Sequence, residues 1–287
     1  MSTKIEWTDH TWNPFTGCSK ISPACDNCYA EVMAKRLQKI PTTAEKYKNG
    51  FIPTFHPSAL DKPKSWKNPC RIFVVSMGDI FHPANSFEDI AKVFEVIRNV
   101  DRHTYFLLTK RPERIKPFIN FYSYHTGDWV SLTNIWIGVT AENQTMADKR
   151  IPLLLDAWPR RAFVSIEPML GPISLLNYIP ALAGNRLYFH SSGNLDWVIV
   201  GGETGRNARP MQPNWVKSIE YRCQQSHVPF FFKKWGSNSS HISNEILNEN
   251  VTRERHDRSR DIPAEIGLIL KPIINPATAR LQTRGSK

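Results

Sequence analysis

One pattern constrains this chain more than any other. Short apolar runs recur, each ended by a polar or glycine-bearing corner and followed by a stretch with helical spacing. The runs are "RIFVVSMGD" (71–79), "TYFLLTKRP" (104–112), "NIWIGVTAEN" (134–143), "RAFVSIEPMLGP" (161–172), "DWVIVGGETG" (196–205) and "VPFFFKKWG" (228–236). Strands that read as near-continuous apolar runs are covered on both faces, as in a parallel sheet built from βα units. Between them, "SFEDIAKVFEVIRNV" (86–100) sets Ile90, Val93, Phe94 and Ile97 at helical spacing behind a capping Ser86. "TMADKRIPLLLDAW" (145–158) reads as a second helix, and "PNWVKSIEYRCQQS" (213–226) as a third with Pro213 in its first turn. With a first strand around residues 4–12, this makes about seven βα units. The expected fold is α/β: a complete or partial TIM-type barrel of parallel strands over residues 1–236, with a C-terminal tail over 237–287.

A doubly wound open sheet uses the same units but gathers its function at one switch point. Here nearly every strand ends in reactive residue types: Ser76 and Asp79; Thr109, Lys110 and Arg111; Thr140, Glu142 and Asn143; Ser165 and Glu167; Glu203 and Thr204; Lys233 and Lys234. That spread suits a barrel whose C-terminal rim carries one site. Residues 41–70, with Pro41, Pro53, Pro57, Pro63 and Pro69, read as a long connection, and 121–133 and 173–195 as loop insertions. From Ser237 onward the strand rhythm stops. "SNSSHISNEILNENVTRERHDRSRD" reads as a flexible tail, and "IGLILKPII" (266–274) as a segment able to dock back on the body.

Five cysteines are present, and three of them, Cys18, Cys25 and Cys28, fall in "GCSKISPACDNCYAE" (17–31). A loop rich in Gly, Ser, Pro, Asp and Asn is a poor place for core cysteines. An odd count argues against a disulfide framework. The first residues, "MSTKIEWTDH", hold acids and no apolar run, and no stretch reaches bilayer-spanning length. The expected location is therefore cytoplasmic with no membrane partner, and structural disulfides are rare there.

The spacing Cys-x6-Cys-x2-Cys leaves two metal readings. A structural zinc needs a fourth ligand, from His10, His56, His82 or a distant cysteine. An iron–sulfur cluster held by three thiolates keeps one iron open to chemistry. Trp7 and Trp12, which flank His10, either shield such a cluster or belong to the core.

Lys and Arg total 37 against 26 for Asp and Glu, a formal net charge of +11. That excess favours a polyanionic partner, nucleic acid or a nucleotide. Lys110, Arg111, Lys233, Lys234 and Trp235 combine cations with an aromatic face, fit to hold phosphates and stack a base, or to form a solvated basic rim. Asp79 accepts an ammonium or caps a helix. Thr140, Glu142 and Asn143 suit ribose hydroxyls. Gly201 and Gly202 admit a ligand against the backbone or make a turn. Two other classes stay open. One is a non-enzymatic nucleic-acid-binding protein with a structural zinc or iron–sulfur site. The other is a barrel hydrolase using the strand-end carboxylates Glu142, Glu167 and Glu203, which leaves the thiols unused.

A three-cysteine loop after the first strand of a βα barrel resembles the radical S-adenosylmethionine enzymes. The resemblance implies a 4Fe–4S cluster on Cys18, Cys25 and Cys28, with S-adenosylmethionine chelated at the open iron. It also implies an electron donor, and a 5′-deoxyadenosyl radical that abstracts hydrogen from the substrate. The cofactor pocket would draw on Ser76, Asp79, Thr140, Glu142, Asn143, Ser165, Glu167, Gly201, Gly202 and Glu203. The ordered series "TGCSKISPACDNCYAE", "SMGDIFH", "LTKRPER", "GVTAEN", "RIPLLL", "SIEPMLGPI", "DWVIVGGETG", "ARPM" and "FFFKKWG" is more closely similar to a phage- and prophage-borne three-cysteine protein family, over about residues 5–236. Two departures stand out. The first cysteine gap is six residues, with Asn27 before Cys28 and the aromatic Tyr29 after it. The second strand ends in "SMGD" where the radical enzymes often have Gly-Gly-Glu. The Gly-Gly-Glu of this chain, Gly201 to Glu203, follows the sixth strand, so that role is not transferred to it.

Overall fold

The protein is described by a computed structural model covering residues 5–127, 132–158, 160–183, 186–188, 193–240, 242 and 263. Seven strands build the main sheet: β1 (His10–Trp12), β2 (Arg71–Val74), β3 (Thr104–Thr109), β4 (Ile135–Thr140), β5 (Ala162–Ile166), β6 (Trp197–Gly201) and β7 (Phe230–Lys234). Every adjacent pair is parallel, and the spatial order is the chain order. A sheet wound in one direction has no switch point, so the doubly wound alternative is excluded. β1 and β7 are its edges, and the fold is a partial α/β barrel.

Two-sided burial accounts for the continuous apolar runs. One face of the sheet, with Ile72, Val74, Leu107, Ile137, Val139, Val164 and Val200, joins the helices in the larger core. The other face carries Phe73, Phe106, Trp136, Phe163, Trp197 and Phe231, which pack around Trp7 in a separate aromatic core. The Trp7 ring lies 5.0, 5.5 and 5.8 Å from those of Phe73, Phe106 and Trp197. Gly138, two residues after Trp136 on β4, gives this core its room, since a Cβ there would sit 2.5 Å from the Phe163 ring. Trp7 lies outside β1, so the first strand is shorter than the sequence suggests, and Trp7 and Trp12 are both core residues.

Five longer helices accompany the strands: α1 (Tyr29–Leu37), α2 (Phe87–Asn99), α3 (Ile115–Thr126), α4 (Gln144–Ala157) and α5 (Pro213–Gln225). Ser86 caps α2 by accepting from the Asp89 amide at 3.1 Å, and α2 buries Ile90, Val93, Phe94 and Ile97. Pro213 opens α5. The loop expected at 121–133 is a correction: α3 runs to Thr126, burying Phe118, Ile119 and Tyr122, and stops at Gly127 with φ +71°.

The 173–195 insertion includes a hairpin, Ala181–Ala183 against Arg186–Tyr188. The 41–70 connection holds a strand, Thr54–Phe55, that pairs antiparallel with Phe15–Thr16. Of the tail, 237–240, 242 and 263 are described; Ile242 is buried in the larger core. The "IGLILKPII" segment lies outside the described residues. Among the described residues no helix is long and apolar enough to cross a membrane.

Candidate functional site

The aromatic core fills part of the interior and leaves a cavity of about 370 Å³ at the C-terminal ends of the strands. Cys18, Cys25 and Cys28 line it together with Ser76, Asp79, Thr109, Lys110, Arg111 and Thr140, above Phe73, Val75 and Leu108. The cysteine loop enters this position through Gly17. At φ +87° a Cβ on Gly17 would lie 2.3 Å from the Ile52 carbonyl oxygen. The Gly17 amide donates to Met77 O at 2.9 Å and the Cys18 amide to Phe51 O at 3.0 Å. Pro23–Cys25 forms a short 3-10 turn, and Cys28 stands at the N-cap of α1.

Three ion pairs rooted at strand ends hold this loop, each at a different point. Asp79 and Arg111, with side chains 5% and 3% exposed, pair at 3.1 Å. Arg111 Nη1 also donates to Cys18 Sγ at 3.3 Å, and its Nη2 to Ser19 O and Ser19 Oγ at 3.0 Å each. Glu142 and Arg150 pair at 2.9 Å with both side chains buried, and Glu142 Oε1 accepts from the Ala24 amide at 3.3 Å. Glu203 accepts from the Arg209 amide and Nε, both at 2.8 Å, and from Asn27 Nδ2 at 3.0 Å. Arg209 itself reaches Pro23 O at 2.8 Å and Asp26 Oδ2 at 3.2 Å. A buried charge must be paired and hydrogen-bonded to be tolerated. Here the pairing and the placing of the loop are the same set of contacts.

The electrostatics follow from these contacts. Burial works to raise the Glu142 carboxyl, but hydrogen bonds from Ser22 and the Ala24 amide, with the Arg150 charge, outweigh it and hold it below the usual value. The same contest, decided by Arg209 and Asn27, holds Glu203 down. A hydrolytic general acid needs a raised carboxyl, so neither residue is poised for that role. Burial and then Asp79 push the Cys18 thiol up, against Arg111. Burial pushes the Cys70 and Cys223 thiols up to about 12.

The other expected site residues divide. Ser76 and Thr140 line the cavity, and Ser76 O accepts from the Tyr29 hydroxyl. Asn143 caps α4, accepting from the Met146 amide at 3.0 Å. Ser165 is buried. Glu167 pairs with Lys233 at 2.5 Å, and a Cβ on Gly201 would stand 3.4 Å from the Glu167 side chain. A Cβ on Gly202 would lie 2.0 Å from Trp235 O, so this glycine makes a tight corner. Trp235 is buried against Phe232, with ring centroids 4.8 Å apart.

Of the expected basic set, Lys110 lines the cavity, Arg111 is buried in its ion pair and Lys234 is exposed. Lys20 and Tyr29 also line the cavity and were not singled out as site residues in the sequence. Their signal was their place inside or directly after the cysteine motif.

Among the described residues no group of three or more His, Cys, Asp and Glu side chains is set to hold a metal ion. The histidine candidates for a fourth zinc ligand each have another partner, and His82 has its partner in the cysteine loop itself. His10 stacks on Trp66 at 4.3 Å, His56 Nε2 meets Thr16 Oγ1 at 2.8 Å, and His82 Nε2 meets Ser19 Oγ at 2.9 Å. Cys70 Sγ meets His103 Nδ1 at 3.3 Å, and Cys223 is buried in α5.

No curated protein matches this chain. Among solved structures it is similar to spore photoproduct lyase. A cysteine-to-serine mutant of the lyase gives 12% identity and a TM-score of 0.44, covering 92% of this chain and 76% of that one. The lyase complexed with dinucleoside spore photoproduct gives 11% and 0.45 with the same coverage, 92% and 76%. A double mutant with bound AdoMet and dinucleoside spore photoproduct gives 14% and 0.41, covering 79% and 64%. The family described as "Protein of unknown function (DUF5131)" matches over residues 2–263, and the chain belongs to that family.

Proposed function

We propose that this chain is a radical S-adenosylmethionine-type iron–sulfur enzyme acting on a nucleic-acid or nucleotide substrate, with a 4Fe–4S cluster on Cys18, Cys25 and Cys28. One observation carries the reading. All three thiols of one loop line a single cavity at the strand ends, while the histidines that would complete a zinc site each have another partner and the other two cysteines are buried. A donor set of three thiolates fits a cluster with one iron free of protein ligands. When bound, such a cluster supplies one electron and one open coordination position for a sulfonium cofactor.

The chain's own residues supply the rest. The cavity's size lies in the range of small-molecule sites. Phe73, Val75 and Leu108 give an apolar floor that excludes water, and Ser76 and Thr140 offer hydroxyls. Lys20 and Lys110 bring cations to the same wall, suited to a carboxylate or phosphate. The net charge of +11 supports a polyanionic substrate.

The test is anaerobic purification with metal analysis, then electron paramagnetic resonance of the reduced protein with and without S-adenosylmethionine. About four irons per chain and a spectrum altered by the cofactor are expected. One zinc per chain and an unresponsive sample would sink the proposal.

A further inference from the structure

Arg111 stands apart among the basic residues of the rim. Its guanidinium is 3% exposed and cannot swing away. Asp79 grips it at 3.1 Å, and Asp79 is itself fixed by Thr109 Oγ1 at 2.7 Å, the Phe81 amide at 3.0 Å and the Lys110 amide at 3.1 Å. The side of the fork facing the loop is spent on Ser19 O, Ser19 Oγ and Cys18 Sγ. Cys25 Sγ, by contrast, meets the neutral Ser22 hydroxyl, at 3.9 Å. One thiol of the three therefore carries a buried, immobile N–H donor with a full positive charge behind it.

We propose that Arg111 is a positioning residue for Cys18 that also biases the bound cluster towards its reduced state. The inference rests on the reading that Cys18, Cys25 and Cys28 hold an iron–sulfur cluster. Reduction adds one electron, delivered by an external one-electron donor, and so adds negative charge to the cluster and its thiolates. A fixed cation and an N–H···S bond at one sulfur stabilise that extra charge, most strongly where water is excluded. Hydrogen bonds to ligating sulfurs and local charge are among the terms that set a cluster's potential. The Asp79 charge offsets that of Arg111 at this sulfur, so the effect rests on the N–H···S bond that Arg111 Nη1 makes at 3.3 Å.

The test is a spectroelectrochemical titration of anaerobically reconstituted protein, with iron content and thermal melting measured on each sample. Arg111→Gln alone leaves Asp79 buried without its partner, so the informative variants are Asp79→Asn/Arg111→Gln, which removes both charges, and Arg111→Lys, which keeps the charge but loses the fork. At a fixed potential the double variant is expected to hold at least tenfold less reduced cluster relative to oxidised, ~59 mV for one electron. Arg111→Lys is expected to fall about threefold, part-way along the same scale.

Equal potentials, within twofold in that ratio, for folded variants with wild-type iron would overturn the proposal and leave Arg111 as a structural partner of Asp79. If the double variant does not fold, Arg111→Lys decides on the same criterion. Wild-type protein that binds no iron would overturn the cluster reading itself, which this titration separates from a failure of Arg111 alone.

Discussion

Removing the middle ion pair of the cysteine loop gives the sharpest test of how that loop is held. Glu142→Ala strips the carboxylate from a side chain that is 0% exposed and leaves Arg150, 3% exposed, with its bond to Thr140 O at 2.8 Å but no counter-charge. Breaking one member of a buried pair costs about 3–5 kcal/mol. The lost acceptor for the Ala24 amide adds about 1 kcal/mol, since that bond is long at 3.3 Å. At about 2–4 °C per kcal/mol, the total of about 4–6 kcal/mol lowers the melting temperature by roughly 8–24 °C. Arg150→Met is expected to be as harmful, because it leaves Glu142 charged and unpaired. The double variant Glu142→Leu/Arg150→Met is expected to recover at least ~2 kcal/mol over the sum of the single changes, since apolar packing replaces the pair.

Urea unfolding of the four proteins measures this directly. Single changes that each cost under about 1 kcal/mol and simply add would refute the argument that the pair anchors the loop. The pH dependence carries a matching sign. Both Glu142 and Glu203 are held below their ordinary value of 4.5. Their contribution to stability is therefore complete above that value and is lost as pH falls through the lower folded value. Glu142→Gln is expected to flatten the acid limb of the stability curve.

Three further outcomes follow from other contacts. Alanine at Cys18, Cys25 or Cys28 is expected to abolish iron binding, while Cys70→Ala and Cys223→Ala retain it, because those two thiols are buried away from the cavity; iron analysis decides. Gly138→Ala drives a methyl into the Phe163 ring and is expected to cost about 1–3 kcal/mol in urea unfolding, a neutral result meaning that the ring slides aside. If nucleic acid binds across the cavity mouth, Lys20→Ala and Lys110→Ala each flatten the slope of log affinity against log salt by about 0.7–0.9, and an unchanged slope removes those lysines from the interface.

The sheet was legible because its signal is redundant. A parallel strand buried on both faces is apolar along most of its length, and six such runs stand out in the sequence. β1 was harder to bound. Its apolar partner Trp7 lies beyond the strand, in the interior that Gly138 helps to open. No helix was read over 115–126, where "FYSYHT" lacks strong helix formers, and the packing of Phe118 and Tyr122 shows why the helix runs past residue 120.

At the candidate site, several strand-end residues have a different partner from the one expected. Glu142 and Glu203 are ordinary acids in a sequence. Nothing local says that Arg150 and Arg209 face them, or that the loop bearing Ala24 and Asn27 arrives from more than a hundred residues away. Contacts of that kind are set by topology, which a one-dimensional reading supplies only in outline.

The order in which these contacts become possible has a consequence during synthesis. The cysteine loop is made early, yet its contacts to Arg111, Glu142 and Glu203 span 93, 118 and 176 residues. At a translation rate of about 5–20 residues per second, the loop waits roughly 9–35 s after emerging before Glu203 exists, and Arg209 follows six residues later. Through that interval the three thiols ride on a nascent chain that has yet to complete its final strands. A ribosome-bound intermediate halted before Glu203 should therefore expose Cys25 and Cys28 to alkylating reagents. Release of the finished chain should bury Cys25. If the proposed cluster binds there, its loading is in this way deferred until nearly the whole barrel has been translated.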